Sequence, residues 1–254
     1  NFAHNPPGGW YQQFLPDVNG ASLQEITFLD SSIGFGITRS PANIMKTTNG
    51  GDNWIINFSY FQPFYQLQFL NKDTGYVLTF DEILKTTDCG NNWFHMNMPQ
   101  TGNEDIYALN NDTIWAASSN GLVGGAFLTT NGGVNWAQKF SGGNANPSRV
   151  YFLNSKFGFI SDDNGPLYRT TNGGDNWTGP ITGVGGFTDM EFVDDTLGWK
   201  NNSSGTEIQI TTDGGTNWKS QSIPQGNEFI FSRIYNFTAI NKDNANTSNN
   251  CNFD

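Results

Sequence analysis

Five copies of one short phrase, set at a near-constant period between segments of alternating apolar and polar residues, predict an all-β fold: a six-bladed β-propeller of four-stranded antiparallel blades. Aligned on their last residue, the copies read TTNGGDNW (Thr47 to Trp54), TTDCGNNW (Thr86 to Trp93), TTNGGVNW (Thr129 to Trp136), TTNGGDNW (Thr170 to Trp177) and TTDGGTNW (Thr211 to Trp218). The tryptophans lie 39, 43, 41 and 41 residues apart, which is the period of a four-stranded blade.

Each phrase has the chemistry of a tight hairpin. The Asn or Asp at its third position (Asn49, Asp88, Asn131, Asn172, Asp213) is expected to accept backbone N–H groups two residues on and close an Asx-type turn. The Gly at its fifth position (Gly51, Gly90, Gly133, Gly174, Gly215) allows a positive φ where a Cβ would clash. The Trp then opens the outgoing strand, burying a large ring between blades and offering its indole N–H to a backbone acceptor.

Upstream of each phrase lies a second shared pattern. ITFLDSSIGFGI from Ile26, LQFLNKDTGYVL from Leu67, VYFLNSKFGFIS from Val150 and MEFVDDTLGWKN from Met190 each give an apolar strand, an Asx turn and a strand opening on Gly-aromatic. IYALNNDTIWAA from Ile106 follows the same plan without the glycine. The whole chain, residues 1–254, is then one domain with five blades over residues 23–222.

The ends predict a sixth blade. SRIYNF from Ser232 resembles SRVYFL from Ser148, so residues 223–242 are expected to begin another blade. GGWYQQFLP around Trp10 resembles GTNWKSQSIP around Trp218, so residues 1–22 are expected to supply its outermost strand and close the ring. The same strand could instead complete a neighbour's blade, giving self-association through the termini. Residues 243–254 read as a tail.

Composition excludes several function classes. Only 12 Lys and Arg accompany a net charge of −11, too few for a stripe that neutralises phosphates, so nucleic acid is not an expected partner. No apolar run reaches the roughly 18 residues of a spanning helix, so no membrane insertion is expected. An Asn-, Gly-, Ser- and Thr-rich surface suits a secreted or cell-surface protein, with any signal peptide already absent from NFAHNPPGGW. Cys89 and Cys251 could form one bridge in an oxidising compartment or remain two thiols. Seven Asn-x-Ser/Thr sites carry little weight in so Asn-rich a chain.

The phrase T-x-[DN]-x-G-x-N-W resembles the Asp-box, or bacterial neuraminidase repeat, and its spacing is similar to that of photosystem II assembly-factor-like and sortilin-like propellers. The resemblance implies a propeller over residues 1 to about 242, with the boxes at blade peripheries away from any active site. Three of the five boxes carry Asn for Asp, so the turn does not need the charge. Many secreted bacterial proteins with such repeats are adhesins, matrix components or surface proteins, and this chain looks similar.

Ligands of propellers bind at the axial mouth, where the innermost strands begin. The residue before each aligned apolar position gives Glu25, Gln66, Asp105, Arg149, Asp189 and Arg233, followed by Thr27, Gln68, Tyr107, Tyr151, Glu191 and Tyr235. These form either a ring of mixed charge able to bind a polar ligand such as a glycan, or positions made polar by channel water alone. A sialidase would need an arginine cluster, and only Arg39, Arg149, Arg169 and Arg233 exist. Asp105 with Asp189 or Glu191 could make the carboxylate pair of a glycoside hydrolase. His95 follows Trp93 on an outer strand and reads as a surface or packing residue, and no Cys or His pair has zinc spacing. The acidic turns at Asp162-Asp163 and Asp194-Asp195 could hold Ca²⁺ weakly; otherwise no cofactor or metal is expected.

The expected function is therefore a non-catalytic, secreted or cell-surface propeller in adhesion, extracellular matrix or filament assembly, with proteins or glycans as partners. The alternatives are a glycoside hydrolase using the channel carboxylates, or a photosystem assembly-factor-like scaffold, against which the low arginine content speaks.

Overall fold

The computed structural model describes residues 13–98, 100–119, 124–141, 147–162, 165–181, 183–202 and 207–221. They fall into two compact units, one ending at Thr101 and one starting at Gly102. Their regular structure is β throughout.

In the first unit, β1 (Leu23–Phe28), β2 (Gly34–Arg39), β3 (Ala42–Thr47) and β4 (Ile55–Tyr60) form one antiparallel meander. A second is built from β5 (Gln66–Phe69), β6 (Gly75–Leu78), β7 (Glu82–Thr86) and β8 (Phe94–Asn97). The second unit opens with β9 (Asn103–Ala108), β10 (Ile114–Ser118), β11 (Gly125–Thr129) and β12 (Ala137–Phe140). Next come β13 (Arg149–Phe152), β14 (Gly158–Ser161) and β15 (Leu167–Thr170), then β16 (Met190–Phe192), β17 (Gly198–Asn201), β18 (Ile208–Thr211) and β19 (Lys219–Gln221).

The β13–β15 sheet departs from the four strands predicted for every blade. Where its fourth strand would run, Thr178 exchanges two backbone hydrogen bonds with Arg169 (2.9 and 2.8 Å), and beyond it the ladder is interrupted, with Ile181 N–H reaching the Leu167 carbonyl at 2.9 Å and Gly185 bridging Pro166. Gly179 and Pro180 follow Thr178, and proline has no N–H to continue the ladder. Five sheets are thus described, and the predicted sixth is not among them: residues 1–12 and 222–254, including Arg233, Tyr235 and Cys251, lie outside the described residues. Residues 13–22 of the expected closing strand carry no strand; Val18 packs on Met45 and Trp54, and Gln13 Nε2 donates to the Gly50 carbonyl at 3.1 Å.

The first turn of every sheet is an Asx turn. A single carboxylate or amide oxygen, from Asp30, Asn71, Asn110, Asn154 or Asp194, accepts two backbone N–H groups, two and three residues on, at 2.7–3.0 Å. The Gly-aromatic strand start has a packing cause. A Cβ on Gly34, Gly75, Gly158 or Gly198 would sit 2.8, 2.6, 2.5 or 2.6 Å from the ring of Phe28, Phe69, Phe152 or Phe192 on the paired inner strand. In the sheet lacking that glycine, Ile114 stands opposite Ala108, so the bulk has changed sides.

The repeated phrase closes differently from the simple Asx turn expected. Its Asn or Asp oxygen accepts the N–H four residues on: Asn53 N to Asn49 Oδ1 at 3.0 Å, Asn92 to Asp88 at 2.8 Å, Asn217 to Asp213 at 2.9 Å. The N–H two residues on is taken by the preceding threonine hydroxyl. Thr47 Oγ1 accepts Gly51 N at 2.9 Å and donates to Asn49 Oδ1 at 2.9 Å, and Thr86, Thr129, Thr170 and Thr211 repeat both bonds. Each of these threonines is buried. Both central residues of the turn have positive φ, Gly50 at 70° and Gly51 at 93°, and at the first of these positions the second box places Cys89 at 59°.

The fifth-position glycine also meets a neighbouring sheet. A Cβ on Gly90, Gly174 or Gly215 would lie 2.6, 2.4 or 2.4 Å from Phe35, Trp115 or Phe159 of the preceding sheet. Those rings stack on the next sheet's inner-strand phenylalanines: Phe35 on Phe69 (4.5 Å), Trp115 on Phe152 (4.2 Å) and Phe159 on Phe192 (5.2 Å). The box tryptophans meet them edge-on, Trp177 against Trp115 and Phe152, and Trp218 against Phe159 and Phe192. Trp54 and Trp93 are buried, while Trp136, Trp177 and Trp218 are half-buried. Each fully buried ring of this kind stabilises by about 1.5–3 kcal/mol.

Candidate functional site

Inner strands β9, β13 and β16 of the second unit carry the chemistry. Side chains two apart on a strand share a face, so β9 presents Asp105 with Tyr107, and β13 presents Arg149 with Tyr151. Asp189, just ahead of β16, does the same with Glu191. The Tyr107 and Tyr151 rings meet edge to face with centroids 5.2 Å apart, and the Tyr151 hydroxyl accepts Phe192 N–H at 2.9 Å. Asp105 Oδ2 accepts Val150 N–H at 2.8 Å, tying β9 to β13. Arg149 Nη1 donates to the Ser148 carbonyl at 2.7 Å. Asp189 Oδ1 accepts Met190 N–H at 3.0 Å, and buried Asn201 holds the approach to the strand by accepting Thr188 and Asp189 N–H at 2.9 and 2.8 Å.

Electrostatics treat these groups as one cluster. Burial, with the Asp189 carboxylate beside it, raises the Glu191 carboxyl above its ordinary value. Burial, reinforced by Glu191, Asp105 and Asp189, pushes the Tyr107 phenol up to about 12. Tyr151 is raised by burial and then by Tyr107 and Glu191, against the Phe192 N–H that favours its anion. Three carboxylates and two tyrosines act on one another's ionisation here, so the cluster favours cations over anions.

Of the residues named from sequence, Asp105 and Asp189 influence Tyr107, and Glu191 and Asp189 influence Tyr151, while Arg149 begins β13 with its guanidinium on the Ser148 carbonyl. In the first unit Glu25 Oε2 accepts Leu67 N–H at 2.7 Å, the counterpart of the Asp105 bond, and Gln66 begins β5. Glu25 and Asp105 therefore each join one inner strand to the next.

A second polar cluster escaped the sequence reading. His95, expected to be a surface or packing residue, has Nδ1 2.8 Å from Glu82 Oε2, while the Tyr60 hydroxyl donates to Glu82 Oε1. Burial, then the hydrogen bond to Glu82, pushes Tyr60 up to about 12. The partners come from β4, β7 and β8, and no local motif links them. Among the described residues no three of His, Cys, Asp and Glu are placed to hold a metal ion. Asp194 spends its Oδ1 on its own turn, and Asp163 lies outside the described residues.

A family model described as photosynthesis system II assembly factor YCF48 matches residues 55–187. Similar solved structures include YCF48 bound to D1 peptide, 20% identical over 82% of this chain and 84% of that one, with a TM-score of 0.47. An ancestral GH74 enzyme is 17% identical over 84% of this chain and 33% of its own, TM-score 0.63. A streptogramin B lyase is 16% identical over 85% and 74%, TM-score 0.63. The chain spans about a third of that GH74 enzyme, and at these identities the likeness concerns the fold, which is of the β-propeller class. A search of curated protein sequences gives no match.

Proposed function

The chain belongs to the photosynthesis system II assembly factor YCF48 family, and on that premise we propose that it is a non-catalytic scaffold that holds a polypeptide of a partner protein during assembly. The observation that carries this reading is the family match over residues 55–187. It favours the assembly-factor-like alternative over adhesion, matrix or filament building, the function expected first from sequence.

We assign the contact to the acid–tyrosine cluster on β9, β13 and β16. Asp105, Asp189 and Glu191 offer charge and Tyr107 and Tyr151 offer ring surface, a combination suited to the guanidinium or ammonium of a basic side chain on an extended segment. The low arginine content does not oppose this, because the partner supplies the cation.

The test is capture from detergent extracts of photosynthetic membranes on immobilised protein. The native chain should retain a defined membrane-protein partner, and Asp189→Asn with Glu191→Gln should weaken capture by about tenfold, or about 1.4 kcal/mol. Equal capture by both proteins would move the contact elsewhere, and no capture would refute the scaffold.

Glu191 favours one other reading. A carboxyl raised beside a second carboxylate is the arrangement of an acid–base pair, so a glycoside hydrolase remains the alternative. Release of reducing sugar from a polysaccharide panel, abolished by Asp189→Asn, would establish it; a blank panel would remove it.

A further inference from the structure

We propose that Asn19 is a site of spontaneous deamidation in the folded protein, and that the repeated turn shields three chemically identical Asn-Gly pairs from the same reaction. The described residues contain Asn19-Gly20, Asn49-Gly50, Asn131-Gly132 and Asn172-Gly173, while Asn120 and Asn164, which begin two more such pairs, lie outside them. All four asparagines are exposed, so access to water does not separate them. The following backbone nitrogen does.

In deamidation the glycine nitrogen loses its proton and forms a bond to the asparagine Cγ. The Cγ–Nδ2 bond breaks and ammonia leaves. Water then opens the cyclic imide at either carbonyl, giving aspartate or isoaspartate. A glycine N–H held in a hydrogen bond keeps its proton and cannot swing towards Cγ. Gly50, Gly132 and Gly173 donate to the carbonyls of Ser32, Asp112 and Lys156 at 2.8, 3.0 and 2.9 Å, each tying the box to the Asx turn of its own sheet. The amide oxygens of Asn49, Asn131 and Asn172 are each fixed by a threonine hydroxyl and a backbone N–H. At Asn19-Gly20 the turn is closed by Ala21 N–H on the Val18 carbonyl at 3.1 Å, and the Gly20 N–H has no acceptor among the described residues. A Cβ at Gly20 would meet nothing within 4 Å, so the pair has room to rearrange.

Shielding matters more than the charge change. Asp88 and Asp213 already occupy the third position of two boxes, so aspartate at 49, 131 or 172 would keep the acceptor. Isoaspartate would add a methylene to the main chain and break the turn, so unfolding opens three sites of irreversible damage.

The full chain is incubated at mildly alkaline pH, folded and in urea, and proteolytic peptides are followed by mass spectrometry with fragmentation that separates aspartate from isoaspartate. In the folded protein Asn19 should convert at least about tenfold faster than Asn49, Asn131 and Asn172, the factor given by a local opening cost of about 1.4 kcal/mol. In urea the four rates should converge. The proposal is overturned if the box asparagines convert alongside Asn19 in the folded state, if Asn19 stays intact, or if the contrast persists in urea, which would assign it to flanking sequence.

Discussion

Exchanging the bulk of one buried pair tests whether the sheets share a packing rule. In four sheets a phenylalanine on the inner strand covers a glycine opposite, whereas the β9–β12 sheet pairs Ala108 with Ile114, and these two are 3% and 0% exposed. Ala108→Phe alone drives a ring into the Ile114 side chain, an overpacking cost of about 1–3 kcal/mol. Ile114→Gly alone removes a fully buried side chain, about 2–5 kcal/mol, and adds about 0.5–1 kcal/mol for glycine in a strand. The double variant recreates the phenylalanine–glycine pair of the other sheets, so it should lie well below the sum, with a coupling of at least about 2 kcal/mol in its favour. Urea unfolding at constant slope, read at 25 °C, measures all three. Additivity within about 0.5 kcal/mol would refute the shared rule.

Other outcomes follow from the same geometry. Thr211→Val strips Gly215 N–H of its acceptor and Asp213 of a donor inside a buried turn, and should cost about 1–3 kcal/mol in urea unfolding, more than Thr212→Val on the exposed neighbour. The Asp213 carboxylate is held down to about 2 by its bonds to Asn217, so its contribution is complete above the ordinary 3.8 and lost as pH falls through about 2; Asp213→Asn should flatten that acid limb. Lys200 is fully buried, donates to the Gly185 and Gly186 carbonyls at 3.1 and 3.2 Å, and has its ammonium driven down to about 8 by desolvation. Between about 8 and the ordinary 10.5 the unfolded chain holds the extra proton, so stability should rise with pH over that window, and Lys200→Met should abolish the rise.

Much of this was legible because it is periodic. The box glycines and tryptophans, and the Gly-aromatic strand starts, recur at one spacing and state their packing partners by size. The box threonines were overlooked for a physical reason: a hydroxyl that organises a turn looks in sequence like any β-strand threonine, and only its burial beneath the Asx oxygen reveals it. The fourth strand expected after Trp177 is broken at Thr178-Gly179-Pro180, where proline lacks the N–H a ladder needs, and the periodic box before it gives no hint of this. Inner-strand position singled out Asp105 and Asp189, which act together on Tyr107, but strand period alone could not show that Glu25 and Asp105 serve the backbone of the next inner strand. The Tyr60–Glu82–His95 cluster was invisible because three strands converge on it with no local pattern.

The proposed partner polypeptide rests against the inner strands of the second unit. Hydrogen–deuterium exchange of the chain, alone and with the partner captured from membranes, measures this directly. Slowed exchange in β9, β13 and β16 on binding is the predicted result; protection confined to the outer strands β12 and β19, with the inner strands unchanged, would contradict it.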